Sequence, residues 1–217
     1  MLGEFLIIRK KFEKYIENIF TNPSDKILDI GSGKNPYYHR LMKGHIVRFD
    51  IRNFSKTNVV GDADLLPFKD NSFDKIIIVN SLYYCSNPFN VIENIGRILK
   101  KEGTIVIITP FLYPIHDAPY DKYRFTEFGI MQLLKNSFII KVINPIGGIF
   151  NLPAIFFHSL IKGIPLVFPQ GMRRIASFFS IIVFYPFYIL AQLFSVLDFL
   201  DSSRRWPTYY ITVAVRK

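Results

Sequence analysis

Apolar residues recur along the chain in two rhythms, and the changes between them lay out its elements. From residue 3 to 20, Phe5, Ile8, Phe12, Tyr15 or Ile16, and Ile19 fall on one face of a 3.6-residue period, with Lys and Glu between them. That spacing predicts an amphipathic helix, a cover packed on a sheet or across a ligand mouth. Asn22-Pro23-Ser24-Asp25 ends it. Short apolar runs follow at Lys26–Asp29, Ile46–Ile51, Lys75–Val79, Thr104–Thr109 and Phe138–Val142, and runs of this length bounded by turn residues predict buried strands. Helical stretches lie between them. Tyr37–Met42 is expected to form a first crossover helix. Pro88–Lys101 places Val91, Ile92, Ile95, Ile98 and Leu99 on one face, with Pro88 in the first turn and Gly103 at the stop. Thr126 is placed to cap a helix running to about Lys135. Tyr209–Val215 closes the chain with a β-rich run. Strands alternating with helices predict an α/β fold, a mostly parallel sheet with right-handed crossovers.

Residues 149–200 break this alternation. Ile175–Leu197 runs 23 residues without a charge, long enough to raise a transmembrane reading. Ile149–Phe168 is nearly as apolar, interrupted by Pro153, His158, Lys162 and Pro165.

Composition sharpens the picture in three ways. The 217 residues fit one domain with an insertion, and half of them are apolar, ample for a single core. The mean hydropathy of +0.22 is high for a soluble domain, and most of the excess lies after residue 145. A net charge of +10 favours anionic partners such as a membrane surface, a nucleic acid or a phosphorylated substrate, although plain lysine-rich usage explains it as well. Cys85 stands alone, which excludes a disulfide framework and a cysteine zinc site and points to a reduced, cytoplasmic setting. Four scattered His suggest no metal site. The apolar run at the start, MLGEFLIIRKK, is too short for a secretory signal.

The chemistry begins at Lys26–Pro36, KILDIGSGKNP, a strand entering a glycine turn. Gly31 and Gly33 let the backbone turn sharply and approach a ligand without a Cβ in the way. Asp50 closes the second strand run 21 residues after Asp29, about the spacing at which an acid accepts hydrogen bonds from ribose hydroxyls.

With these residues in place, the pattern resembles the class I S-adenosylmethionine-dependent methyltransferases of the type 11 group over roughly residues 24–140. LDIGSG at Leu28–Gly33, FDI at Phe49–Ile51, GDADLLPFKDNSFDKI at Gly61–Ile76 and IGRILKKEGTIVI at Ile95–Ile107 carry the likeness. The resemblance implies a Rossmann-like seven-stranded sheet whose last strand is antiparallel. It implies S-adenosylmethionine as cofactor, with Asp29, Gly31 and Gly33 walling the methionine end and Asp50 on the ribose. Asp62 would meet the adenine amino group, the Ala63 backbone would lie beside the ring, and Asn80 near the ammonium and the transferring methyl. Where many members have a third glycine this chain has Asn35, which tolerates left-handed backbone; Asn35-Pro36 argues against a nicotinamide pyrophosphate. His116–Thr126 resembles a subgroup found among glycan and cell-envelope pathways. Methyl transfer needs placed reactants and often a base. His116, following the fifth strand run, is the candidate base, with a structural role equally open. Asp117 and Asp121 are candidates to orient it, Arg124 to staple the loop through Asp121 or meet a substrate anion, and Tyr83, Tyr84, Tyr120 and Tyr123 to line an acceptor pocket.

The expected layout is a single methyltransferase domain: residues 1–22 as the cover helix, 24–145 and 206–217 as the core, and 146–205 as an apolar helical insertion. The insertion is read as helices lying peripherally on an anionic membrane surface, in preference to a spanning hairpin that would carry Arg173 and Arg174 at its tip and Pro153, Pro165 and Pro186 in its spans. A substrate cap and a homodimer interface stay open. The expected partner is a small-molecule or lipid-linked acceptor. Nucleic acid is not expected, because no base-flipping motif or recognition module is present.

Overall fold

A computed structural model describes residues 6–217, with side chains from residue 8. Phe5, assigned above to the N-terminal helix, lies outside the described residues. The first element, α1 (Leu6–Ile19), buries Phe12 and Ile16 and is followed by buried Phe20, as the 3.6-residue stripe requires. Phe12 meets the edge of Tyr209, with ring centroids 5.4 Å apart, so this face of the helix lies on the sheet.

The strands are β1 (Lys26–Ile30), β2 (His45–Asp50), β3 (Val59–Val60), β4 (Phe73–Val79), β5 (Leu99–Pro110), β6 (Phe138–Ile146) and β7 (Tyr209–Arg216). They form one seven-stranded sheet in the order β3-β2-β1-β4-β5-β7-β6. The β1–β2, β1–β4, β2–β3 and β4–β5 pairs are parallel, and β7 runs antiparallel to β5. This is the Rossmann-like arrangement the sequence pattern called for. The chain moves from β1 outward to β2 and β3, then returns to the other side of β1 as β4, which opens a crevice at the carboxyl ends of these strands. Ile76, Ile77, Ile105, Val106 and Ile108 are fully enclosed, as expected of parallel strands covered on both faces.

Several elements differ from the expectation: β6 runs on to Ile146 rather than Val142, and the short edge strand β3 was not expected. Tyr37–Leu41 is one turn of 3-10 helix rather than a crossover α-helix. Pro36 opens it and Met42 is already extended, so only five residues are available and a second turn has no room. The other helices of the sheet are α2 (Pro88–Ile98) and α3 (Glu127–Leu134). α2 ends at Ile98, because Leu99 turns extended and starts β5, so Gly103 lies within the strand and not at the helix stop. The carbonyls of Arg97 and Ile98 instead accept the N–H groups of Asn71 and Ser72. The Thr126 cap of α3 is present, its hydroxyl accepting from the Gly129 N–H at 3.1 Å.

The chain divides into two compact units. The larger holds Phe12–Phe111, Ile115–Asn144 and Tyr209–Lys217, and so the sheet core. The other holds Pro145–Thr208, Leu112–Pro114 and the stretch ending at Lys11. Within this second unit, α4 (Leu152–Val167) and α5 (Arg173–Phe194) pack on each other. Asn151 Nδ2, buried at the foot of α4, donates to the Thr208 hydroxyl at 2.9 Å.

Candidate active site

The glycine loop leaves β1 with Gly31 at φ +73° and Gly33 at φ +63°, a backbone region L side chains rarely adopt. A Cβ on Gly31 would stand 2.3 Å from the Ser81 Cβ, so the close approach of β1 to β4 demands glycine there. Ser81 completes the joint, its hydroxyl donating to the Ile30 carbonyl at 2.8 Å. A Cβ on Gly33 would meet nothing within 4 Å, so the loop faces open space at this point. Asp50 closes β2 and holds the turn: Oδ2 accepts from the Gly33 N–H at 2.7 Å and Oδ1 from the Arg52 N–H at 2.9 Å. Each carboxylate oxygen has a second lone pair, so both still have room for a ligand hydroxyl.

Asp29 behaves differently from the wall residue expected. Its side chain is fully buried, and the Tyr38 hydroxyl lies 3.0 Å from both of its oxygens while His39 Nε2 lies 2.6 Å from Oδ2. Burial pushes the Asp29 carboxyl above the usual carboxylate range, with the contacts to His39 and Tyr38 opposing the shift. The carboxylate anchors the short 3-10 turn beneath the glycine loop. Arg48, also buried, pins the loop from the β2 side, its Nη2 donating to the Gly33 carbonyl at 2.6 Å and the Lys34 carbonyl at 3.1 Å.

Two further acids stand at the strand ends. Asp62 is exposed and caps the turn Ala63–Leu65, its Oδ1 accepting from the Asp64 N–H at 2.9 Å. Asn80, directly after β4, sits at φ +52°. Its backbone N–H bonds the Ile108 carbonyl at 2.9 Å, while its buried Oδ1 has no hydrogen-bond partner among the described residues. An orphaned buried amide oxygen costs roughly 1–3 kcal/mol unless a ligand or water satisfies it.

Three residues beyond Asn80 a second cluster begins. The Tyr83 and Tyr84 hydroxyls both lie on His116 Nε2, at 3.2 and 3.1 Å. On the other side of the ring, His116 Nδ1 lies 3.1 Å from Asp121 Oδ2, and the His116 backbone N–H reaches the same oxygen at 3.3 Å. Arg124 grips both oxygens of Asp121, Nη2 to Oδ2 at 2.7 Å and Nη1 to Oδ1, and stands 5.5 Å over the Tyr83 ring. That grip holds the Asp121 carboxyl below the usual carboxylate range. Burial raises the Tyr83 and Tyr84 hydroxyls above the ordinary tyrosine value, so both remain protonated donors at neutral pH. With Nδ1 held by Asp121, Nε2 is the ring nitrogen that faces the two phenols. Of the two acids expected beside His116, Asp121 takes the position. Asp117 contributes its backbone carbonyl to the N–H groups of Tyr120 and Asp121. Tyr120 is 60% exposed, and the Tyr123 hydroxyl donates to the Ser86 carbonyl at 3.2 Å.

Comparison with known proteins agrees with this geometry. Residues 28–107 match the family described as Methyltransferase domain. The chain is 21% identical over 182 residues to a demethylmenaquinone methyltransferase of Thermotoga maritima, covering 67% of this chain and 79% of that protein. It is 30% identical over 139 residues to a ubiquinone/menaquinone biosynthesis C-methyltransferase of Vibrio cholerae, covering 52% of this chain and 53% of the relative, so it spans about half of that protein. Residues 28–107 therefore carry a methyltransferase domain, consistent with the class I S-adenosylmethionine-dependent enzymes of the type 11 group. Solved structures share the fold: the geranyl diphosphate C-methyltransferase of Streptomyces coelicolor superposes with a TM-score of 0.60 at 12% identity over 96% of this chain and 78% of that one. The Haloferax volcanii putative methyltransferase in complex with the Trm112 activator gives 0.56 at 20% identity over 93% and 86%.

The cofactor of this methyltransferase carries a sulfonium and an ammonium and no phosphate. Its site needs acceptors rather than a lysine or an anion nest, and the strand ends supply acceptors: both Asp50 oxygens, exposed Asp62 and the orphaned Asn80 Oδ1. Four residues that shape the site escaped the sequence reading: Tyr38, His39, Arg48 and Ser81. The run Tyr37-Tyr38-His39 after Asn35-Pro36 is the only local sign of the first two. Arg48 and Ser81 give none, because their partners are backbone carbonyls at distant positions.

Proposed function

We propose that the methyltransferase moves the methyl group of S-adenosylmethionine to a protic oxygen, nitrogen or acidic carbon of a small apolar or lipid-linked acceptor, such as a cell-envelope glycan carried on a lipid. The observation that carries this reading is the Asp121–His116–Tyr84 arrangement, in which Tyr84 follows the orphaned Asn80 amide by four residues in sequence. In the proposed site the open face of Gly33 admits the cofactor, Asp50 takes the ribose hydroxyls, Asp62 with the Ala63 backbone takes the adenine, and Asn80 Oδ1 accepts from the ammonium. Gly31 and Asp29 hold the loop in shape from behind. When bound, the cofactor supplies an electrophilic methyl on a positively charged sulfur. His116 Nε2 then takes the acceptor's proton, directly or through the Tyr84 hydroxyl, while Asp121 keeps the ring oriented and stabilises the imidazolium. Tyr83, Tyr120, Tyr123, Asp117 and Arg124 frame the acceptor side, with Arg124 acting through Asp121.

A second reading, methylation of a quinone-like ring, is favoured by the names of the Thermotoga and Vibrio relatives. It needs the same base, since a ring carbon also loses a proton. The deciding measurement is S-adenosylhomocysteine formation by the purified chain with demethylmenaquinone and, separately, with a total lipid extract. Product with either one supports methyl transfer and names the acceptor class. Cofactor binding without product in either assay overturns the enzymatic reading in favour of a cofactor-binding partner module.

A further inference from the structure

We propose that α4 and α5 form a helical hairpin that spans a lipid bilayer. The inference rests on the second unit alone and not on the methyl-transfer reading.

The first observation is the distribution of exposure around α5. Its buried positions, Ser180, Tyr188 and Ala191, form one narrow seam against α4. The rest of the circumference, roughly three quarters at 100° per residue, is exposed and apolar: Phe178 62%, Ile182 54%, Phe187 52%, Leu190 65% and Leu193 65%. No Asp, Glu, Lys or Arg follows Arg174 within the helix. An interfacial helix needs a polar face to turn to water, and α5 has none. A helix apolar all round is stable only when surrounded, by protein or by hydrocarbon. Among the described residues protein does not surround it, since only 22% of the most apolar stretch of Gln170–Leu200 is buried. A single partner surface would cover one side of the pair, whereas hydrocarbon covers all of it.

The second observation is how polar groups are treated. The Ser159 hydroxyl donates to the Ile155 carbonyl at 2.7 Å and the Ser195 hydroxyl to the Gln192 carbonyl at 2.7 Å. The Ser180 hydroxyl crosses the seam to the Leu160 carbonyl at 3.2 Å. Hydroxyls folded onto helix carbonyls suit a medium without water. The prolines also fall where a span tolerates them: Pro153 in the first turn of α4, Pro165 in its last, and only Pro186 inside α5.

Length and charge name the occupant. The apolar run Ile149–Val167 has 19 residues and α5 has 22, which at ~1.5 Å per residue match a hydrocarbon layer ~30 Å thick. Basic residues flank α5, with exposed Arg173 and Arg174 at the tip and Arg204 and Arg205 at the base, suited to anionic headgroups on both faces, while exposed Lys162 lies within α4 five residues before its end, where its long side chain snorkels toward the headgroups. The bias of basic residues toward one face does not oppose a span, because both ends carry an arginine pair.

The test uses the full chain expressed in bacterial membranes. Burial raises the Cys85 thiol to about 12, so the parent reacts poorly with maleimide at neutral pH and serves as the blank. Single cysteines are introduced at the tip, Gly171→Cys, and at the base, Ser203→Cys. The expected result is retention in the pellet after alkaline carbonate, with a membrane-impermeant maleimide labelling the two variants from opposite sides of sealed vesicles. Ile182→Lys with Leu190→Lys should move at least tenfold more protein into the supernatant. Release of the parent by carbonate overturns the proposal, and so does labelling of Gly171→Cys and Ser203→Cys from the same side.

Discussion

The two compact units treat solvent in opposite ways. In the sheet unit Ile76, Ile77, Ile105 and Ile108 are sealed inside, and the polar side chains gather at the strand ends where a ligand would sit. In the helical unit the Ser159, Ser180 and Ser195 hydroxyls turn onto carbonyls, while Phe178, Leu190 and Leu193 face outward. The first pattern is that of a domain folded in water around its own core. The second suits hydrocarbon, and it explains why the mean hydropathy of the whole chain is high although the sheet unit is ordinary. On the proposed span one sequence answers to two solvents, and substitutions should separate them.

The largest expected effect lies at the glycine turn. Gly31→Val places atoms where the Ser81 Cβ already stands and forces φ +73° on a β-branched residue. It should cost about 3 kcal/mol or more in denaturant unfolding. The matching change in the helical unit, Gly163→Ala, meets nothing within 4 Å and should leave stability unchanged or raise it by up to ~1 kcal/mol. Equal losses at the two sites would erase the contrast. Next comes His116→Ala, which should slow methyl transfer about 10²-fold while cofactor affinity, read by calorimetry, stays level; equal turnover in mutant and parent removes the base role. Asn80→Ala should weaken cofactor binding by about tenfold, the loss of one hydrogen bond to a charged group, with little change in melting temperature because relief of the orphaned amide oxygen offsets the strain of φ +52° on alanine.

The smallest effect is a pH dependence. The Asp121 carboxyl is lowered in the folded protein by Arg124. Its contribution is therefore full above the ordinary carboxylate value, roughly 4, and is lost as pH falls through the lowered folded value. Asp121→Asn should flatten the acid limb of the melting-temperature profile while leaving the neutral region less stable. An unchanged acid limb would mean that the Asp121–Arg124 pair is not formed in solution.

Much of the fold was legible because its signals are local. β1, β2, β4 and β5 each read as an apolar run, and the closing Tyr209–Val215 run is found antiparallel beside β5, whereas the two-residue edge strand β3 is too short for periodicity to mark. The end of α2 was not legible. Its last carbonyls are satisfied by Asn71 and Ser72, which come earlier in the chain, and not by a glycine cap. The glycine loop, Asp50 and Asn80 stand at strand ends that periodicity alone locates. Between Asp117 and Asp121, sequence offered no choice. The Arg124 grip decides it by fixing the Asp121 carboxylate against Nδ1.

By itself the sequence determined the α/β alternation, the turn at Gly31 and Gly33, the acid at Asp50 and the location of the apolar stretch. These depend on residues near one another along the chain, where spacing is geometry. Only the tertiary structure decided that Asp29 faces inward to Tyr38 and His39, that Arg48 and Ser81 brace the loop, and that the Asn80 Oδ1 is left without a partner among the described residues. It also decided that α5 has one narrow buried seam. Each of these is a matter of which distant atoms share a desolvated space, and a one-dimensional pattern carries no record of that.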